Sequence, residues 1–211
     1  MKKYHDKNLL ELYIPASHNS AGYRTILAPV LNSTSTVASV YNNFTLTQEL
    51  NIYDQMRAGV RLLDIRVNTE MKDIPYISHT AFCIPLKKCF DDIVRFLNEN
   101  PTEVIIILLK RDSHFSNINW SEIAPLIDQY FFGIDVPSKA AKVSVGELIK
   151  NKRRVAIINE NNADIRCDTH LWTGELVRNY WYNTNDTPKL INMVRKTNEN
   201  ISPEYLHITD F

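Results

Sequence analysis

The sequence predicts an α/β fold, a distorted and minimal TIM-like (β/α) barrel that takes residues 1–211 as one domain. Three observations predict it. Short apolar runs alternate with amphipathic stretches from end to end, with no linker, repeat or low-complexity tract between them. No Gly-x-Gly-x-x-Gly or Walker-type loop follows any apolar run, which removes the usual support for an open nucleotide-binding sheet. The residues with chemical capacity stand at the ends of the apolar runs, as expected where several strands open onto one mouth. At 211 residues the chain is short for such a barrel, which usually takes about 250, so short or missing crossovers are expected.

In chain order, Leu12–Pro15 is a short apolar strand, and Thr47–Ala58 is a helix that ends at Gly59. Val60–Val67 and Tyr76–His79 follow as strands. In Leu86–Asn98, Phe90, Ile93, Val94 and Leu97 recur at i, i+3, i+4 and i+7, one stripe of a helix that stops before Pro101. Val104–Lys110 (VIIILLK) is the clearest strand, apolar without alternation as in a parallel strand buried on both faces. Helices Trp120–Phe131 and Val145–Asn151, strand Arg154–Asn159, helix Pro188–Thr197 and strand Leu206–Asp210 complete the pattern.

Composition narrows the function classes. Twenty-four Lys and Arg balance 24 Asp and Glu, so the chain lacks the broad positive field that holds nucleic acid, and any phosphate site must be local. No run approaches the roughly 18 apolar residues of a membrane span. The N-terminus, MKKYHDKNLLELYIP, lacks the apolar run of about 7–15 residues that marks a secretory signal. The compartment stays open between cytoplasmic and secreted. Cys83, Cys89 and Cys167 are odd in number and lack metal-ligand spacing, which argues against a disulfide framework.

The strand ends carry a constellation. The first strand runs into Ala16-Ser17-His18-Asn19-Ser20. The second carries Asp64 and Arg66, two apart and so on one face. The third ends at His79, the fourth in Lys110-Arg111-Asp112, the last at Asp210. Two imidazoles can act as base and acid in one displacement, because small changes in surroundings set either form at neutral pH. An arginine between them matches a phosphate with its planar fork. Taken singly each piece has a plainer reading: a strand-end histidine as a structural group, Asp64 with Arg66 as a buried salt bridge, Lys110-Arg111-Asp112 as a solvated strand end.

Together, Ile14–Ser20 (IPASHNS), Leu46–Val67 (LTQELNIYDQMRAGVRLLDIRV), Ile77–Thr80 and Phe96–Asp112 (FLNENPTEVIIILLKRD) resemble the X domain of phosphatidylinositol-specific phospholipase C, in its bacterial and X-domain-only forms. The likeness returns at Lys152–Asn159, Trp181–Asp186 and Leu206–Phe211. It implies that His18 is the general base towards the inositol 2-hydroxyl, that Asp210 orients it, and that His79 is the general acid towards the diacylglycerol oxygen. Asp64 would support the acid side, Arg66 contact the phosphate and Lys110 the inositol. Because Arg66 stands where the calcium-dependent enzymes have a metal-binding carboxylate, the resemblance implies a reaction without metal or other cofactor. The implied partner is an inositol phospholipid at a membrane surface, met by a monomer through peripheral contact, with no nucleic acid. Three positions depart from the pattern: Asn19 for an aspartate, Thr80 for a glycine, and Glu160 for an arginine that contacts inositol; Asn19 and Glu160 count among the substrate-binding positions. Members also continue past the equivalent of Asp210 into a closing helix, so this is either a minimal barrel or one without that helix. Two other functions stay open: a lipid- or phosphate-binding module with weakened catalysis, and a metal-dependent barrel phosphodiesterase of the glycerophosphodiester type. Arg178–Asn183 (RNYWYN) suits either lipid contact or the barrel wall.

Overall fold

The computed structural model describes residues 1–25, 45–71, 74–113, 118–181 and 186–210. Nine strands and five α-helices are described: β1 (Ala16–Ser17), α1 (Ile52–Arg57), β2 (Leu62–Asn68), β3 (Tyr76–His79), β4 (Ala81–Pro85), α2 (Leu86–Glu99), β5 (Ile105–Arg111), α3 (Trp120–Phe131), α4 (Val145–Lys150), β6 (Val155–Asn159), β7 (Leu171–Thr173), β8 (Val177–Trp181), α5 (Thr187–Asn198) and β9 (Leu206–Asp210). Seven strands form one sheet in the order β4-β3-β2-β5-β6-β7, with β1 also on β2; β8 and β9 form a parallel pair. This is the TIM-like arrangement, left open by hydrogen bonding among the described residues. Where β9 faces the segment before β1, a cavity of about 700 Å³ lined by Leu12, Ile14, Leu62, Leu206 and Ile208 stands in place of a ladder.

Strand alternation sorts the core into two layers. Leu63, Ile65, Val67, Ile105, Ile107, Leu109, Val155 and Ile157 face outward and pack on α1, α2 and α3 through Met56, Phe90, Ile93, Phe96 and Ile127. Leu62, Ile106, Leu108, Ala156 and Ile158 face inward, where Trp172, Val177, Leu206 and Ile208 close over them. The β2–β5–β6 register places Leu62 beside Ile106, Asp64 beside Leu108 and Arg66 beside Lys110, with Leu108 beside Ile158. Each inward row thus runs from apolar at the bottom to polar at the top, and the polar caps are Asp64, Arg66, Lys110 and Glu160.

Several elements differ from the sequence expectation. The first strand is Ala16–Ser17 and not Leu12–Pro15, because Pro15 has no N–H to give and its carbonyl instead receives Arg61 and Leu62. The first described α-helix begins at Ile52, capped by the Asn51 side chain, since the Thr47 N–H is committed to the Gly22 carbonyl. β4, β7 and β8 were not anticipated. The Arg178–Asn183 segment falls largely in β8, with residues 182–183 outside the described range. β3 and β4 meet at a tight turn, and β7 reaches β8 through one 3-10 turn. All three cysteines are free thiols, and no described helix is long and apolar enough to cross a membrane.

Candidate active site

One edge of β2 explains how the two histidines meet. β1 pairs in parallel with that edge at Leu62 and Leu63 and then leaves it. β3 arrives from the opposite direction, antiparallel, at Val67 and Asn68. The reach between, Asp64 to Arg66, is covered by neither strand. His18 follows β1 directly and His79 ends β3, so each enters this reach from its own side. Their rings stand edge to face with centroids 6.1 Å apart.

Asp64 is the hub of the cluster. Its Oδ2 accepts the Asn19 N–H at 3.0 Å and the Arg66 Nη2–H and Nε–H at 3.1 and 3.3 Å, and lies 3.7 Å from His18 Nδ1. Its Oδ1 lies 3.2 Å from Lys110 Nζ, and Lys110 lies 3.5 Å from Glu160 Oε2. Arg66 Nη2 also sits 3.4 Å from His18 Nε2. With Nδ1 towards a carboxylate and Nε2 towards a guanidinium donor, the partners assign His18 the tautomer with the proton on Nδ1 and the lone pair on Nε2. The sequence expectation ranged Asp64 with the acid side; in the structure its contact is with His18.

His79 sits in different surroundings. Burial, the Arg66 charge and the His18 ring hold its pKa below the usual value, while the Thr45 backbone and Asp112 pull it upward. Its Nδ1 is buried without a hydrogen-bond partner among the described residues. The next residue, Thr80, has φ +64°, the left-handed region where glycine is the usual occupant, and its N–H is held by Asp112 Oδ2 at 3.1 Å.

Asn19 lies directly beside Asp64. It is fully buried with φ +43°, its Nδ2 donates to Thr47 Oγ1 at 3.3 Å, and its service to the site is the N–H it gives Asp64. Gly22 permits this packing, since a Cβ there would stand 2.2 Å from Thr47 Oγ1. Asp210 ends β9 in register with Trp181; its side chain lies outside the described structure. Asp112, fully buried at the end of β5, was grouped with a solvated strand end in the sequence. The signal that could have singled it out is its parity, which continues the inward row of Leu108 and Lys110 by one more step.

The open wall, the outer helical layer and the polar caps at the strand ends define the class: a TIM-like α/β barrel with ionisable groups gathered at its C-terminal mouth. Residues 26–158, more than half of the chain, match the family described as phosphatidylinositol-specific phospholipase C, X domain, and the chain belongs to that family. It is 26% identical over 204 residues to PI-PLC X domain-containing protein 3 of Danio rerio, covering 89% of this chain and 63% of that protein. It is 28% identical over 160 residues to 1-phosphatidylinositol phosphodiesterase of Listeria monocytogenes, covering 74% of this chain and 46% of that one. The chain therefore spans less than two thirds of these relatives. Among solved structures, the phosphatidylinositol-specific phospholipase C from Listeria monocytogenes superposes with a TM-score of 0.66 at 18% identity, covering 98% of this chain and 90% of that one, a likeness of fold.

Proposed function

We propose that this chain is a single catalytic domain that cleaves the phosphodiester of phosphatidylinositol, or of a related inositol phospholipid, by histidine acid–base catalysis without a metal ion. The observation that carries this reading is the pair of imidazoles facing one another across the Asp64–Arg66 reach. In the proposed step the inositol 2-hydroxyl oxygen bonds to phosphorus and gives its proton to His18 Nε2. The bond from phosphorus to the diacylglycerol oxygen breaks, and that oxygen takes a proton from His79. Diacylglycerol and inositol 1,2-cyclic phosphate leave, with no water consumed. Arg66, already beside His18, turns its fork to the phosphate oxygens as charge builds on them.

The pKa setting of His79 supports an acid that is readied by its substrate. Arg66 is among the groups that hold the ring below its usual value. A phosphate anion lying on Arg66 cancels that repulsion, so the proton is held more firmly once substrate is bound. Asp64 and His18 could contribute metal ligands, but a guanidinium stands within 3.4 Å of both, and its charge disfavours a cation there. In this reading the protein acts as a monomer that meets the membrane only peripherally.

The test is release of inositol 1,2-cyclic phosphate from phosphatidylinositol vesicles in EDTA. His18→Ala and His79→Ala should each fold and lose about 10²–10⁴ in rate. Activity that appears only with added calcium or magnesium would overturn the metal-free reading, and vesicle binding without turnover would favour a binding module.

A further inference from the structure

The structure divides its carboxylates between the two histidines in a way that leaves one of them without an assigned role. Asp64 is spent on His18, Arg66, Lys110 and the Asn19 N–H. On the other side of the reach stands Asp112, fully buried and next to the peptide that follows His79. Its own N–H donates to the Val67 carbonyl at 3.4 Å, which ties it to β2 just above Arg66. Its Oδ2 accepts the Thr80 N–H at 3.1 Å. That bond matters because Thr80 closes the turn between His79 and Ala81, which face each other across β3 and β4, with a positive φ that a β-branched residue rarely adopts. The strain needs a fixed partner, and a buried carboxylate on a central strand supplies one.

Resting on the reading of His79 as the general acid, we infer that Asp112 is its positioning residue: it pins the Thr80 turn that presents the ring and sets a negative charge beside it, while Asp64 serves His18. Among the described residues, the groups that face His79 are Arg66 from β2, His18 from the end of β1, Asp112 from the end of β5 and the backbone of Thr45. Cys83 of β4 borders the same turn, but burial pushes its thiol up to about 12, so it stays neutral. Asp112 is therefore the anion in that set, and it opposes the pull of Arg66 and His18.

The experiment follows the histidine ring resonances of labelled protein by NMR through a pH titration, with His18→Ala and His79→Ala fixing the assignments. In Asp112→Asn, whose side-chain oxygen can still accept the Thr80 N–H, His79 should titrate about one pH unit lower and His18 should barely move. In Asp64→Asn the titration of His79 should barely move. Turnover by Asp112→Asn at neutral pH should fall about tenfold, with the basic limb of its pH profile moved down, and Asp112→Glu should restore part of both. An unchanged His79 titration in Asp112→Asn, or a larger one in Asp64→Asn, overturns the inference whatever the turnover. Absence of turnover in the parent protein would instead overturn the proposed reaction and leave the titration to decide the role of Asp112.

Discussion

Replacing Arg66 separates its work on the substrate from its work on the histidines. Arg66→Met keeps much of the volume and removes the charge. In the free protein Arg66 gives two N–H contacts to Asp64 and lies 3.4 Å from His18. Asp64 keeps Lys110 and the Asn19 N–H, so the loss should cost about 1–3 kcal/mol, the range for removing one hydrogen-bond partner, short of the 3–5 for an uncompensated buried ion. For a chain of 211 residues that lowers Tm by roughly 2–12 °C, and the protein should stay folded at 25 °C. Rate is a larger effect: removing a donor aimed at developing charge costs about 10²–10³ in kcat. The pH profile carries the discriminating sign. Arg66 lowers the His79 pKa, so without it His79 stays protonated to higher pH, and the basic limb of kcat/KM should move up in Arg66→Met. Arg66→Lys retains charge without the fork, so it should leave the limb in place while still losing rate. The assay is cyclic phosphate release from vesicles in EDTA between about pH 5 and 9, the span in which a histidine titrates. A variant within a few-fold of the parent, or a limb that moves down, would refute this account of Arg66.

Further expectations follow from the same geometry. Because substrate cancels the Arg66 repulsion on His79, the basic limb of kcat should lie at higher pH than that of kcat/KM in the parent enzyme, and coincident limbs would contradict the readied acid. Glu160 pairs with Lys110 at the mouth and can only accept hydrogen bonds when ionised, so Glu160→Lys should raise turnover of ring-phosphorylated inositol lipids relative to the unphosphorylated lipid by about tenfold or more, read on vesicles of matched charge. Trp172 is fully buried in the inward layer and donates Nε1–H to the Val136 carbonyl at 2.7 Å; Trp172→Ala should cost about 3–5 kcal/mol by denaturant titration.

The strands that build the mouth were legible because burial on both faces leaves a continuous apolar run, as in Ile105–Arg111 and Val155–Asn159. β7 and β8 were hidden: Leu171–Thr173 is three residues long and Val177–Trp181 is half polar, too little for periodicity to register. Of the proposed site, His18, Asp64, Arg66, His79, Lys110 and Glu160 are gathered around the same strand ends. What the sequence concealed was which carboxylate faces which histidine. That depends on β3 running antiparallel to β2, so that His79 descends from above while His18 rises from below. The reversal of this one strand brings the rings within 6.1 Å, and it also forces the chain into the turn at Thr80 that Asp112 has to hold. The departure from glycine at position 80 is thus tied to the geometry of the acid: the threonine is strained where it stands, and the buried aspartate that secures it is the group best placed to govern the neighbouring histidine.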